Sequence, residues 1–491
     1  MLAHFLLLCL FALAKASPPN FLFILWDDLG WGEVDITPGR TNTNITTPNI
    51  SALAKSGASF LRAYSGAPVC APSRGALMTG KHTGHATIRG NKGFQGGDWP
   101  LLANPSDRTF LSVLQAAGYH VSCIGKWGMG GTASPGSPTL KGCSDYYGVL
   151  DQSLAHNMYP SAASYTLRYP ASNGSAAWEE LPFPANANAS RAVCMAPGSA
   201  CVWTHDLWTA AAAHALTAHA GKAAPLFVYL AYTDPHAGGW SGTEEAGNPV
   251  PSDGAFAQHT GKWPTVEIDH ASAITNYLDK DVGALVGLLD KLGMSGNTIT
   301  MATSDNGSSN EGGHDYAFFD SSGPLRGFKR CLTEGGIRVP LVVAGPPSLV
   351  TAGTVSHFPV SFYDIGDTVL ELAGVPPSQW LRQDGASFAS VLLGAPPPPP
   401  RPLYWEFCTS VHPPLEPRSG PGWGHAIVNG TWKAVSFFED QSLRLYDLSS
   451  DVYEVHDLAA DFPEVLQGMQ AWAAAQHTDS PDFPVANCSP S

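Results

Sequence analysis

Short apolar runs alternate along the chain with segments whose apolar residues recur at helical spacing. Asn20 to Trp26 reads as a strand. Thr47-Pro48 then reads as an N-cap with proline at the first helical position, opening a helix through Ala54. Thr109 to Ala117 reads as a helix closed by Gly118, and Tyr119 to Ile124 as a short buried strand. Pro225 to Ala231 is a strand, Leu-Phe-Val-Tyr-Leu-Ala after the proline. Ile274, Tyr277, Leu278, Val282, Leu285, Leu289 and Leu292 share one helix face, which Gly293 ends. Thr298 to Thr303 and Val339 to Ala344 are two further strands. Continuous apolar strands between amphipathic helices predict an α/β fold with a large, mostly parallel sheet sandwiched by helices. Ligands in such folds sit beyond the carboxyl ends of the strands.

The run from Ala395 to Pro402 is dominated by consecutive prolines and reads as a stiff connector. It divides the expected catalytic part, residues 17–397, from a smaller C-terminal α+β part, residues 398–491. In the latter, Pro402 to Phe407, Gly424 to Val428, Trp432 to Phe438 and Leu443 to Leu448 look like strands of a small antiparallel sheet. A helix from Pro463 to Ala475 follows. The stretch from Ser161 to Thr204, rich in Ala, Ser, Asn and Pro, reads as a loop insertion near a substrate entrance.

Composition narrows the class. The 491 residues are 44% hydrophobic and 14% charged, a globular balance. The formal net charge of −15 leaves no basic footprint for a nucleic-acid partner. An acidic chain also repels anionic substrates at long range, so any anion site needs a local cationic pocket. Residues 1–16 read as a signal peptide: an apolar stretch from Phe5 to Leu13, too short to span a bilayer, then Ala14-Lys15-Ala16 as a cleavage pattern. No later segment looks transmembrane. Sequons at Asn44, Asn49, Asn173, Asn188, Asn429 and Asn487 suit a secretory protein, extracellular or in a lysosome-like lumen. Beyond Cys9 there are eight cysteines; Cys194 and Cys201 are spaced to close a small loop. If Cys70 has a chemical role, seven remain and at least one stays out of an intramolecular disulfide.

Candidate chemistry begins at strand ends. Asp27-Asp28 directly follows the first strand, and two adjacent carboxylates there require a cation or solvent. Ser304-Asp305-Asn306-Gly307 also follows a strand; it is either a second oxygen-ligand cluster or a plain turn. The longest signal is Cys70-Ala71-Pro72-Ser73-Arg74-Gly75-Ala76-Leu77-Met78-Thr79-Gly80. It resembles the sulfatase signature, C-x-P-S-R followed by x-x-L-x-T-G, at every fixed position. Further segments resemble the family in family order: Gly125-Lys126-Trp127, Thr233-Asp234-Pro235-His236, Leu325 to Lys329, and Glu334 to Pro340. Asp384-Gly385 and Leu445 to Leu448 resemble its C-terminal landmarks, so the likeness runs from about Asn20 to Leu458. It implies kinship with the alkaline-phosphatase-like α/β superfamily.

The resemblance implies a mechanism. Cys70 would be oxidised to formylglycine by a formylglycine-generating enzyme of the secretory pathway. One Ca²⁺ would be held by Asp27, Asp28, Asp305 and Asn306, with the residue at Cys70 also reaching it. Arg74, Lys126 and Lys329 would surround the sulfuryl oxygens, and His236 would protonate the leaving alcohol, a role Lys329 can share. The expected substrate is a sulfated small molecule or glycan, a carbohydrate sulfate ahead of a steroid sulfate. Rival readings are a phosphate or phosphonate hydrolase of the same superfamily, and a catalytically impaired relative that binds sulfated glycans.

There is one clear departure. The family carries G-K-W-H-x-G, whereas this chain reads Gly125-Lys126-Trp127-Gly128-Met129-Gly130. The missing histidine serves proton transfer in the family's second half-reaction. His82, His85, His156 and His314 are candidate replacements, and Gly128→His is expected not to lower activity. A smaller departure is Lys81, where many relatives carry arginine.

Overall fold

In the computed structural model the apolar runs form one eleven-stranded sheet. The structure describes residues 17–36, 44–91, 102, 107–161, 166–196, 198–240, 247–409, 422–436 and 442–488. In chain order the strands are β1 (Asn20–Asp27), β2 (Ala58–Tyr64), β3 (His120–Lys126), β4 (Asp145–Val149), β5 (Thr166–Tyr169) and β6 (Glu179–Glu180). They continue as β7 (Leu226–Pro235), β8 (Thr298–Ser304), β9 (Arg338–Ala344), β10 (Thr354–Ser356) and β11 (Val360–Ser361). The spatial order is β10-β2-β9-β8-β1-β7-β3-β4-β5-β6, with β11 also on β2. The central strands β8, β1, β7, β3 and β4 are mutually parallel. β9 runs antiparallel to both neighbours, and β5 and β6 are antiparallel at the far edge.

β1 shows why these strands read as unbroken apolar runs. Phe21, Phe23 and Leu25 face one core layer, while Leu22, Ile24 and Trp26 face the other. Both faces are covered, so alternation disappears from the sequence. The first layer packs residues from helices Cys70–Thr79, Phe110–Ala116 and Phe362–Leu372. The second packs helices Pro48–Ser56 and Thr204–His219 and a continuous helix over 265–291. A π-helical turn, Ala273–Leu278, interrupts that last helix. Its first turns escape the periodicity argument because Glu267, Asp269 and His270 are buried polar residues. The stretch expected as a loop insertion instead carries β5, β6 and a short helix, Arg191–Cys194.

The C-terminal strands are β12 (Leu403–Thr409), β13 (Gly422–Asn429), β14 (Trp432–Ser436) and β15 (Leu443–Asp447), antiparallel in that order. The predicted end of the third strand at Phe437 and Phe438 lies outside the described residues. Helix Pro463–Ala473 packs on one face, against Tyr404, Ile427 and Leu445. The other face lies on the main body, where Trp405 and Phe407 meet Tyr64, Val69 and Tyr363. Polar ties cross the same junction. Trp405 Nε1 donates to the Ser65 carbonyl at 2.8 Å, and Arg89 pairs with Glu406 at 2.8 Å. Lys433, fully buried, bridges Glu334 at 3.0 Å and Glu454 at 2.9 Å.

Disulfides join Cys123–Cys143, Cys194–Cys201 and Cys408–Cys488, while Cys70 and Cys331 keep their thiols. The Asn49 amide donates to Asp279 at 2.7 Å, so that sequon's nitrogen is already engaged inside the fold.

Candidate active site

Strand register builds the site. Trp26 of β1 lies beside Ser304 of β8, so the two acidic turns leave adjacent parallel strands. The Asp305 amide donates to the Trp26 carbonyl at 3.0 Å, and the Asp28 amide to Asp305 Oδ1 at 3.2 Å. Asp28 has φ 67, a left-handed conformation that Asp tolerates better than most residues. Lys126 is the last residue of β3, and His236 follows the end of β7. All these carboxyl ends face the first turn of helix Cys70–Thr79, where Cys70 and Arg74 lie four residues apart on one face.

The side chains interlock. Arg74 reaches Asp305 Oδ2 through Nε at 3.0 Å and Nη2 at 2.8 Å, and its Nη1 donates to the Lys126 carbonyl at 2.9 Å. Lys126 Nζ lies 2.6 Å from Asp27 Oδ2 and 3.1 Å from His156 Nε2. Lys329 Nζ contacts Asp28 Oδ2 at 2.8 Å, Glu311 Oε2 at 2.8 Å and His236 Nε2 at 2.9 Å. The Cys70 sulfur sits 3.4 Å from Asp27 Oδ1. All nine predicted site residues therefore occupy one buried cluster, none more than 2% exposed.

Burial acts on every charge here, and partner charges decide which way each group shifts. Desolvation pushes the Cys70 thiol well above its ordinary value, and the Asp27 carboxylate adds to it. Asp27 itself is held well below the carboxylate range: desolvation opposes ionisation, but Lys126, His236 and Arg74 outweigh it. Asp305 is pushed up to about 7 by desolvation and by Asp27. Lys126 and Lys329 stay protonated because Asp27 and Asp28 respectively overcome their desolvation. Burial, His236 and Lys126 keep His156 neutral.

The donor set fits a hard cation. Asp27, Asp28, Cys70 and His236 each bring a ligand atom within 4.8 Å of the others. Asn306 Oδ1, fully buried, has no hydrogen-bond partner among the described residues, while its Nδ2 donates to Asp28 Oδ1 at 2.7 Å. Oxygen donors around carboxylates suit Ca²⁺ or Mg²⁺.

Of the four candidate histidines, only His156 joins this cluster; its ring stacks on His236 with centroids 3.7 Å apart. His82 and His85 pair with Asp384 instead, and His314 with Glu267. Gly128 has φ +72, and a Cβ there would come 2.2 Å from Gln152 Oε1. Both amide atoms of the buried Gln152 lack partners among the described residues. The sequence-based expectation for Gly128→His is thus corrected. That variant strains the backbone and displaces Gln152, and we expect it to lose activity about tenfold with a Tm lowered by a few degrees. Steady-state kinetics and thermal melts check both. Two neighbours escaped the sequence reading. Glu311, five residues past Asn306, holds Lys329, and Gln152 occupies the space beside Gly128. A wider cleft of about 600 Å³ lies between β3–β5 and helix Thr204–His219, and none of its lining residues belongs to the carboxylate cluster.

Comparison with known proteins shows the family. The family model described as Sulfatase matches residues 19–375, and one described as N-sulphoglucosamine sulphohydrolase, C-terminal, matches residues 323–471. Human arylsulfatase A is 30% identical over 501 residues, covering 95% of this chain and 89% of that protein. Mouse N-acetylgalactosamine-6-sulfatase is 29% identical over 406 residues, covering 78% of this chain and 68% of that protein. The solved structure of Ps i-CgsB is 26% identical with a TM-score of 0.72, covering 95% of each chain. Its complex with k-i-k-neocarrahexaose superimposes with a TM-score of 0.73 at 24% identity, again over 95% of each chain. The chain belongs to the sulfatase family, and it is a sulfuric ester hydrolase.

Proposed function

We propose that the chain hydrolyses a carbohydrate or aryl sulfate monoester through formylglycine made from Cys70, with one Ca²⁺ at Asp27, Asp28, Asp305 and Asn306. The observation that carries this reading is Cys70 itself. It is buried at the first turn of its helix, beside Asp27 and within the layer of Arg74, Lys126 and Lys329. A thiol held protonated by burial and a carboxylate is a poor nucleophile, which favours conversion over direct thiolate attack. Formylglycine, once hydrated by water, would supply two hydroxyls on one carbon, one to attack sulfur with departure of the alcohol and one to lose its proton so that sulfate leaves and the aldehyde re-forms. Calcium held by Asp27, Asp28, Asp305 and Asn306 would supply positive charge to the anionic ester and acidify a bound hydroxyl.

The chain's own groups do the rest. Arg74, fixed by Asp305 and the Lys126 carbonyl, presents a rigid cation to the sulfuryl group. Lys126 adds a second cation through its place between Asp27 and His156. His236 donates from Nδ1 to the Ala237 carbonyl at 2.6 Å, leaving Nε2 facing the Lys329 ammonium. This pair holds the proton that the leaving alcohol needs. Neutral His156 is the base that takes the place of the missing family histidine. Secretory-pathway folding is supported by three disulfides, which persist in oxidising compartments. Among the described residues no helix is long and apolar enough to cross a membrane.

The deciding assay compares 4-nitrophenyl sulfate with 4-nitrophenyl phosphate, using protein from a eukaryotic secretory host. Mass spectrometry of the Cys70 peptide runs in parallel. Sulfate release with a formylglycine peptide supports the reading. Preference for the phosphate ester, or an unmodified thiol in an active enzyme, would sink it.

A further inference from the structure

We propose that Asn248 and His314 form a subsite for one hydroxyl group of the leaving alcohol, which makes a sugar sulfate the preferred substrate over a simple aryl sulfate. The proposal rests on the sulfate-ester reading above and extends it from the reaction centre to what leaves it.

A small cleft borders the reaction centre. Asp28, Ala237, Asn248, His270, Glu311 and His314 are among the residues that line it. Asp28 and Glu311 are the two carboxylates that grip Lys329, so the cleft adjoins the Lys329–His236 pair that serves the leaving oxygen. About 10 Å³ is open to the centre of a water-sized group, room for a single hydroxyl or water.

The walls are polar and unsatisfied. Asn248 is 3% exposed, and neither its Oδ1 nor its Nδ2 has a partner among the described residues. His314 is 8% exposed; its Nδ1 lies 2.7 Å from Glu267 Oε2. A carboxylate only accepts, so Nδ1 carries a proton; burial and the neighbouring His270 lower the ring's pKa, and in the neutral ring Nε2 presents a lone pair. That Nε2 also lacks a partner among the described residues. Each orphaned buried polar group costs about 1–3 kcal/mol, so apolar side chains would fill this space more stably. A hydroxyl satisfies both walls at once: its O–H donates to His314 Nε2, and its oxygen accepts from Asn248 Nδ2. Aryl sulfates without a ring hydroxyl offer neither.

A metal ion fits this place less well. Glu33, His270 and His314 do bring ligand atoms within 4.8 Å of one another. However, the His270 and His314 rings stack with centroids 3.8 Å apart and 18° between planes, so their in-plane lone pairs do not converge. His270 Nε2 is also committed to Glu33 Oε1 at 2.5 Å.

The test measures kcat/KM for 4-nitrophenyl sulfate and for 2-, 3-, 4- and 6-O-sulfated hexoses and N-acetylhexosamines in wild type, Asn248→Leu and His314→Gln. Sulfate is quantified by ion chromatography. The wild type should prefer at least one sugar sulfate. In Asn248→Leu the ratio of sugar to aryl kcat/KM should fall about 30-fold, as expected for one lost hydrogen bond to a buried partner. Its Tm should hold or rise, because no side-chain hydrogen bond of Asn248 among the described residues is lost. A deoxy sugar sulfate lacking the recognised hydroxyl should penalise wild type by a similar factor and leave Asn248→Leu indifferent. An unchanged ratio in a folded variant would mean that only water fills the cleft, and the subsite falls while the hydrolase stands. Equal losses on both substrates overturn it as well. Absence of sulfate release from every ester by the wild type defeats the hydrolase reading itself, and the subsite with it.

Discussion

Cys70→Ala should abolish repeated sulfate release, by at least about 10⁴-fold in kcat, while leaving a folded protein. The side chain is fully buried at the start of helix Cys70–Thr79, and removing one sulfur there leaves a small cavity costing about 1 kcal/mol. Arg74, Lys126 and Lys329 remain anchored to Asp305, Asp27 and Asp28, so the anion pocket survives. The variant should therefore still bind inorganic sulfate or a slow substrate, observable by calorimetry. Cys70→Ser should separate the two half-reactions. A serine hydroxyl can be sulfated but cannot expel sulfate, so a single stoichiometric burst should precede silence. Rapid-quench release of 4-nitrophenol reads that burst. Steady turnover above about one percent of wild type in either folded variant would remove Cys70 from the reaction.

Removal of divalent metal should be the second large effect, acting on both rate and stability. Three carboxylates, Asp27, Asp28 and Asp305, share one buried space, and desolvation with crowding by Asp27 lifts Asp305 to about 7. A divalent cation would relieve that crowding and give a partner to Asn306 Oδ1, which has none among the described residues. At a free concentration 100 to 1,000 times its dissociation constant, the ion adds about 3–4 kcal/mol to stability by mass action. We expect millimolar Ca²⁺ to raise Tm by several degrees over an EDTA-treated sample and to restore at least about 100-fold in activity. Asp305→Asn should shrink the calcium-dependent rise in Tm. A Tm indifferent to both EDTA and 10 mM Ca²⁺ would refute a resident cation at these residues.

Much of this was legible in the sequence, and the reason is local. β1, β3, β7 and β8 are buried on both faces, so their apolar runs stand out without any knowledge of partners. Asp27, Asp28, Asp305 and Asn306 follow such runs immediately, and strand ends of a parallel sheet converge. Helix Cys70–Thr79 was harder to see as a helix. Every residue in it is buried, so it has no polar face to set a period. Glu311 and Gln152 have no pattern of their own; one is a loop carboxylate and the other a lone amide, and only packing places them. The edge strands β5 and β6 are half exposed and short, with a composition that reads as loop. Among the histidines, sequence position ranked none of the four, since His156 reaches Lys126 through the turn after β4 rather than through proximity in the chain.

Lys433 shows that the proline run is no place to cut the chain. The Glu334 that it holds sits five residues past Lys329, inside the segment that carries this lysine into the reaction centre. Truncating the protein at the prolines would take Lys433 from Glu334 and leave it, among the described residues, only Arg338 and Tyr64, while Val69 and Ile337 lose the apolar sheet that covers them. A shortened enzyme for biotechnology, or a frameshift late in the coding sequence, would therefore lose activity by loosening the Lys329 segment and by uncovering Val69, the neighbour of Cys70.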